Sequence, residues 1–552
     1  VVYMSLRKGT YLGIGALVAG GGGFWFQEEL INRHRYSCEK RVDFKSESLF
    51  REYLACTYAG PSVGDNIMCN YSGTHTVDPR YFYEPNTIKD VQKIVSGAQR
   101  LNKKIRPVGR FLSPNGIASC KEGMLSLNFC DRIVHVDQTK KQITVEAGIV
   151  VDDILKELQK YGLTLANFSS IKEQQVGGWT QVGAHGTGAR LPTVDEMVIS
   201  LKVVTPNLGT FKLHKDMPSR VDREFFKLFR CGLGSLGIVT ELTLQCIDSH
   251  WLNEATEVLQ VDEISDQHEK LLRNFRHVRY MWIPYTESIV IVKSNPTKKE
   301  GDVLISEERQ EILVNPLRSL LLKNNHSREE IDGLSFSQLR DRLLDINPLD
   351  TTHVKEVNQA ESEFWHLNRG YRSAPSDEIL GFDCGGQQWV LEVAFPTGTL
   401  DETTGADINF VVELKRRLEN AGIPAPGPIE QRWSSASSSY LSPAYSENPD
   451  SIFSWVGIIM YLPPGQNSEN RAKIAENFQK YANILYDVGG KYGAVPHWAK
   501  IEIPEEDENR TTWNEVKKLL HYKYNIAKFC EGMTLFDPKG VLLNDLMEEL
   551  VS

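Results

Sequence analysis

The alternation of apolar and polar positions changes character about halfway along the chain. From Ile88 to Leu101 apolar residues recur at helical spacing, and Lys103–Gly109 then reads as a short strand running into a turn. Short β runs follow at Met124–Cys130, Ile133–Val136 and Ile143–Ala147. Asp152–Tyr161 is an amphipathic helix with Ile154, Leu155 and Leu158 on one face, stopped by Gly162. Val198–Thr205 and Thr210–Leu213 flank Pro206-Asn207-Leu208-Gly209, a hairpin signal. Beyond Asp248 the β stretches lengthen, at Val278–Val292, Gln387–Phe395 and Phe453–Leu462. Helical patterns separate them at Gln267–Arg273, Glu307–Leu322, Phe336–Leu344, Phe410–Asn420 and Glu469–Tyr486. That order predicts an α+β fold, its second part an antiparallel sheet covered by helices. Thr297–Glu330 is charged and reads as a surface insertion, and no internal repeat is visible.

Two glycine-rich stretches interrupt the periodic segments. Gln174–Pro192 contains Gly177, Gly178, Gly183, Gly186 and Gly188, which leave the backbone bare for close approach by a ligand. Exposed N–H groups in such a run form an anion-binding concavity; a plain polar loop would look similar. Arg106-Pro107-Val108-Gly109-Arg110-Phe111-Leu112-Ser113-Pro114-Asn115-Gly116 is a second loop, with arginines at its mouth placed to neutralise a pyrophosphate. Gly232-Leu233-Gly234-Ser235-Leu236-Gly237 matches a dinucleotide fingerprint in letters only. Helix-forming Arg223–Arg230 precedes it and strand Ile238–Gln245 follows, the reverse of the order that motif requires.

Composition narrows the picture. The 552 residues are enough for several domains, and 41% are hydrophobic. A net charge of −10 argues against nucleic acid and suits a basic partner. Nine scattered cysteines form no CxxC pair, so neither a zinc site nor a dithiol motif is expected, and no metal is assigned. Cys56 and Cys69 could pair in an oxidising compartment; free thiols are the simpler reading. Tyr11–Phe26 is uncharged, preceded by Arg7 and Lys8 and closed by Phe24-Trp25-Phe26. At 16 residues it is shorter than a typical span of about 20, and it reads as a short membrane or membrane-complex anchor.

Pro424-Ala425-Pro426-Gly427-Pro428 stiffens the approach to Ile429-Glu430-Gln431-Arg432-Trp433. In an extended chain Glu430 and Arg432 point to one side. A permanently protonated guanidinium stabilises charge that develops only during reaction, and the carboxylate accepts hydrogen bonds from hydroxyls.

These motifs together resemble the vanillyl-alcohol-oxidase class of PCMH-type FAD proteins, within it the aldonolactone oxidoreductases and among those the L-galactono-1,4-lactone dehydrogenases. The similarity runs from about Tyr71 to the C-terminus. It implies a two-subdomain FAD-binding domain over 71–250, a substrate (cap) domain over 251–490 and a C-terminal segment, 491–552, that completes the flavin site. An anchor over 1–37 and a linker over 38–70 precede them. The resemblance implies oxidation of L-galactono-1,4-lactone to L-ascorbate, with cytochrome c as acceptor. It also implies a place at the mitochondrial inner membrane facing the intermembrane space, with respiratory complex I as a partner. The competing readings are an assembly subunit with weak activity and an oxidase that uses O2.

Carried over residue by residue, the resemblance implies Glu430 and Arg432 as catalytic and substrate-binding, joined by Ser170 and Lys500 at the substrate. It implies a cofactor site built from Arg106, Val108, Gly109, Arg110, Phe111, Leu112, Ser113, Ser170, Gln175, Gly178, Gly183, Ala184, His185, Ile238 and His497. Leu112 stands where related oxidases carry a flavin-linked histidine, so FAD is expected to be non-covalent. Ser169 replaces the alanine that keeps oxygen out, Cys384 matches a family cysteine near the site, either a redox-sensitive thiol or a buried inert one, and Trp179 is larger than usual. Phe111 stands where relatives have glycine, an expensive change if that position has φ > 0.

Overall fold

A computed structural model describes residues 67–298, 312–382, 385–502 and 511–551. The Tyr11–Phe26 run, Cys38, Cys56 and Cys384 lie outside the described residues. No described helix is long and apolar enough to cross a membrane. The described cysteines Cys69, Cys120, Cys130, Cys231, Cys246 and Cys530 are free thiols.

The first part of the chain is built on two small sheets. Phe82–Tyr83, Met124–Ser126 and Arg106–Val108 form a parallel sheet with Met124–Ser126 in the middle. Helix Ile88–Leu101 buries Val91, Ile94, Val95 and Ala98. It starts where the Thr87 side chain accepts from the Asp90 N–H and stops at Asn102 in the left-handed region. Gly209–His214, Val198–Thr205, Ile238–Gln245, Gln142–Glu146 and Ile133–Asp137 then make a five-stranded antiparallel sheet in that order.

The second part is built on eight antiparallel strands. Their order across the sheet is Gly370–Pro375, Trp251–Gln260, Ser288–Thr297, His277–Trp282, Ile429–Ser435, Ser451–Tyr461, Gln388–Thr399 and Val495–Pro496. The stretch expected as one long strand over Val278–Val292 is a hairpin, because Pro284 and Tyr285, with φ +62°, turn the chain between His277–Trp282 and Ser288–Thr297.

Two expectations need correction. Within the glycine-rich stretch, Val176–Gln181 is helical rather than loop, with Val176, Gly177, Trp179, Thr180 and Gln181 buried. The segment read as a surface insertion is partly core. Helix Asn315–Lys323 buries Leu317 and Leu321 against Leu339 and Leu343 of Phe336–Ile346 and Val354 and Val357 of Thr351–Leu367. Its charge misled because one apolar face suffices to dock a helix.

Candidate functional site

One contact fixes the two parts of the site against each other. The Gly188 N–H donates to the Trp433 carbonyl at 2.7 Å, and the Ser435 N–H donates to the Leu191 carbonyl at 3.0 Å. The end of the glycine-rich stretch thus pairs with strand Ile429–Ser435. Glycine is required at both closest approaches. At Gly186 a Cβ would stand 2.1 Å from Asn167 Oδ1, and at Gly188, with φ +144°, 2.5 Å from the Arg276 carbonyl oxygen.

Strand Ile429–Ser435 lies between His277–Trp282 and Ser451–Tyr461, and its two faces do different work. The reverse face is tied into the core. Trp282 Nε1 donates to Gln431 Oε1 at 3.0 Å, and Trp433 Nε1 donates to Asp407 Oδ2 at 2.8 Å. The front face carries Glu430 and Arg432, and Arg432 Nη2 lies 2.7 Å from each carboxylate oxygen. Arg279, the cross-strand partner of Arg432, reaches to 3.8 Å from Glu430 Oε1. Two guanidiniums opposite one another repel. Glu430 between them and the Phe382 ring, 3.6 Å from the Arg279 guanidinium and 5.2 Å from that of Arg432, hold them together.

A cavity of about 490 Å³ opens on that face. It is lined by the loop Arg106–Pro114, by Ser169, Ser170 and Gln175, by Gly178, Ala184 and His185, by Ile238, and by Glu430, Arg432, His497 and Lys500. Most residues expected at the cofactor and substrate therefore share one space. An added Cβ at Gly178 would meet no atom within 4 Å, although Gly178 lines the cavity. Bare backbone facing open volume is the shape a bound FAD requires, and it is not closed by packing.

Three expected residues take different parts. Arg106 is buried, and its guanidinium donates to the carbonyls of Ile117, Leu542 and Leu233 and to Ser235 Oγ, at 2.7 to 3.0 Å. It clamps backbone instead of waiting for a pyrophosphate, and burial lowers its pKa to about 10. Arg110 remains on the cavity wall. Gly183 does not line the cavity; its α-carbon faces Pro443 and Cys231 at φ +64°, and its backbone meets the ring of His497. Phe111 has φ +58°, the left-handed conformation that glycine occupies without strain, yet its side chain is buried with Val108, Cys120 and Met124.

Ser169 is held from both sides. Trp179 Nε1 donates to its hydroxyl at 3.1 Å, and the hydroxyl donates to Gln174 Oε1. The larger tryptophan and the serine are thus partners. Gln175 is positioned by the bond from its Nε2 to Asn128 Oδ1 at 2.8 Å.

His497 and Lys500 come from the far end of the chain. The Asn115 side chain, in the first loop, donates to the carbonyls of Trp498 and Ile501 at 2.9 and 3.0 Å and docks their segment. Burial, with Lys500 nearby, lowers the His497 pKa to about 3, so its ring is neutral.

Sequence reading missed Glu392. Its Oε2 accepts from Lys500 Nζ at 2.7 Å and lies 3.0 Å from His185 Nε2. His185 Nδ1 lies 3.0 Å from the Gly186 carbonyl, so both ring nitrogens face acceptors, and the ring stacks on Trp455 at 3.7 Å. Burial raises the Glu392 pKa, but the Lys500 ammonium and His185 outweigh it and hold the carboxyl well below its usual range. His185, Glu392 and His497 have donor atoms within 4.8 Å of one another, a metal-like grouping among the described residues, with the Lys500 ammonium on the same carboxylate oxygen. The signal was available: Glu392 is a lone acid in the apolar run Val390–Ala394.

Comparison with known proteins gives a consistent picture. Residues 79–212 match the FAD binding domain family, and residues 242–550 match the family described as D-arabinono-1,4-lactone oxidase. The chain is 45% identical to the mitochondrial L-galactono-1,4-lactone dehydrogenase of Brassica oleracea, over 88% of this chain and 82% of that protein. It is 27% identical to the L-gulonolactone oxidase of Bos taurus, over 87% of this chain and 97% of that protein. The crystal structure of cholesterol oxidase from B. sterolicum shares the fold, with a TM-score of 0.69 at 16% identity, covering 89% of this chain and 99% of that one.

Proposed function

Because this chain belongs to the L-galactono-1,4-lactone dehydrogenase family of FAD-dependent aldonolactone oxidoreductases, we propose that it oxidises L-galactono-1,4-lactone to L-ascorbate and passes the electrons to cytochrome c. Relatives named mitochondrial support a mitochondrial location, and we assign the protein within it to the inner membrane, with the catalytic body in the intermembrane space. We place respiratory complex I among its partners, and residues 1–37 as the attachment.

The observation that carries the reading is the bridge from Gly188 to Trp433. It sets the acid–guanidinium face of Ile429–Ser435 against the cofactor stretch across one cavity. FAD, when bound, supplies the two-electron acceptor. The residues that would hold it are the loop Val108–Ser113, Gln175, Gly178, Ala184, His185 and Ile238. Glu430, its two oxygens oriented by Arg432, accepts the hydrogen bond of the lactone hydroxyl that is oxidised. Arg432 and Arg279 stabilise negative charge arising on the reacting atoms, and being permanently charged they need no proton of their own. Lys500 and Ser170 bind the remaining oxygens, and neutral His497, its ring nitrogens engaged by the Ala499 N–H and the Gly183 backbone, closes the cofactor side without adding charge.

An oxidase that hands electrons to O2 is the competing reading, and Ser169, in place of alanine, is the position at which the two readings part. One preparation tests both. The purified protein should show flavin absorption and reduce cytochrome c when given the lactone. A flavin-free preparation that reconstitutes no activity with added FAD would leave only the assembly-subunit reading. Equal rates with O2 and cytochrome c would favour the oxidase.

A further inference from the structure

The front face of the eight-stranded sheet carries a second ion pair in register with the first. Glu430 pairs across the strands with Gly457, and Gly457 pairs with Glu392. The three residues form one row, so their side-chain directions are the same, and the two carboxylates are two strand spacings apart, about 10 Å between α-carbons. Each carboxylate holds a cation, Arg432 on one and Lys500 on the other, both at 2.7 Å. Between them Gly457 contributes no side chain, and all five residues line the cavity.

We propose that the lactone lies across Gly457, in a slot walled by Glu430–Arg432 on one side and Glu392–Lys500 on the other. The inference rests on the reading of the chain as an aldonolactone oxidoreductase. An aldonolactone carries hydroxyls around its ring and on its side chain, so it presents donors and acceptors in opposite directions at once. A slot with a carboxylate and a cation on each wall meets both, whereas a single acid–guanidinium pair meets one edge. Glu392 is buried, so it serves as a positioning residue: it fixes the Lys500 ammonium, and Lys500 meets the ligand.

Gly457 makes the idea testable without disturbing the fold. It lies in a regular strand where any residue fits the backbone, and a Cβ there would come no closer than 3.7 Å to another atom, Glu392 Oε1. Alanine is therefore accommodated by the protein and projects into the slot. Steady-state oxidation of L-galactono-1,4-lactone by the holoenzyme with a dye acceptor is the assay. Gly457→Ala should raise KM at least tenfold and Gly457→Val further, with bound FAD per mole of protein and melting temperature unchanged. Glu392→Gln should lower kcat/KM at least tenfold, and Glu392→Asp should restore part of it. Glu392→Gln should also speed acylation of Lys500 by a small amine reagent at pH 8, read by peptide mass spectrometry without turnover.

Wild-type KM in Gly457→Val would overturn the proposal while leaving the function standing. So would loss of FAD with unchanged lactone affinity, which would give the slot to the cofactor. Unchanged Lys500 acylation in Glu392→Gln would remove the second wall. A wild-type protein that oxidises no aldonolactone would sink the functional reading, and the slot with it.

Discussion

A single nitrogen of Arg432 donates to both oxygens of Glu430, at 2.7 Å each, from two positions along the same strand face. The arginine is thereby held beside the acid it orients, and neither needs to move before reaction. Removing a preorganised donor of this kind costs ~2–4 kcal/mol in the transition state, or roughly 10²–10³ in kcat. Arg432→Ala should lose that much lactone turnover while keeping its FAD and its melting temperature. Near-normal turnover would remove the pair from the chemistry.

Leu112 lines the cavity with an aliphatic side chain. That side chain, at the position where related oxidases carry the flavin-linked histidine, cannot bond covalently to a flavin. Acid precipitation of the purified protein should leave the yellow colour in the supernatant; a yellow pellet would contradict the assignment.

The Ser169 hydroxyl is bonded on both sides, by Trp179 and Gln174. A satisfied hydroxyl has little left to offer a water or oxygen, and it adds bulk where relatives carry alanine. Ser169→Gly should release peroxide faster, measured with an oxygen electrode during lactone turnover. Trp179→Phe loses a hydrogen bond worth ~1 kcal/mol and should loosen the same barrier to a smaller degree. If neither variant reacts with O2 faster than wild type, the gate lies elsewhere.

Two buried histidines predict acid sensitivity. Burial lowers the pKa of His277 and of His497 from 6.5 to about 3. In the unfolded chain each takes up a proton near pH 6.5, which the folded protein refuses until about pH 3. Stability is therefore full above pH 6.5 and falls as pH drops toward 3, by ~2 kcal/mol per histidine at pH 5. His277→Gln should narrow the difference in melting temperature between pH 7 and pH 5. An unchanged difference would show that His277 is protonated in the folded state.

What could be read from the sequence was what local pattern controls. Ile88–Leu101, Val198–Thr205 and Ile238–Gln245 fall where periodicity put them, because each buries one face and ends at a clear cap or turn. Glu430 and Arg432 were legible because strand geometry alone puts them on one side. Val176–Gln181 was not, because adjacent glycines oppose a helix that tertiary packing nevertheless enforces. Helix Thr351–Leu367 went unread, its buried Val354, Val357 and Phe364 masked by polar neighbours. Arg106 looked like a ligand for phosphate because three of its four partners, Leu233, Ser235 and Leu542, lie far along the chain. Phe111 shows the opposite case: its place in the loop was legible, but the compensation for its strained backbone, burial among Val108, Cys120 and Met124, was not.

The bond from Arg106 to the Leu542 carbonyl joins residues 436 positions apart, and the Ile105 N–H likewise donates to the Val541 carbonyl. Asn544 adds three more bonds, to the carbonyls of Gly116, Ile117 and Ser119. On a ribosome adding about 5–20 residues per second, the first loop waits roughly 20–90 s for these partners to be made. The nascent chain thus cannot finish its cofactor pocket until translation is nearly over. A protein cut short by a premature stop before Val541 would emerge with that pocket unlatched, open to proteases and poor at retaining flavin.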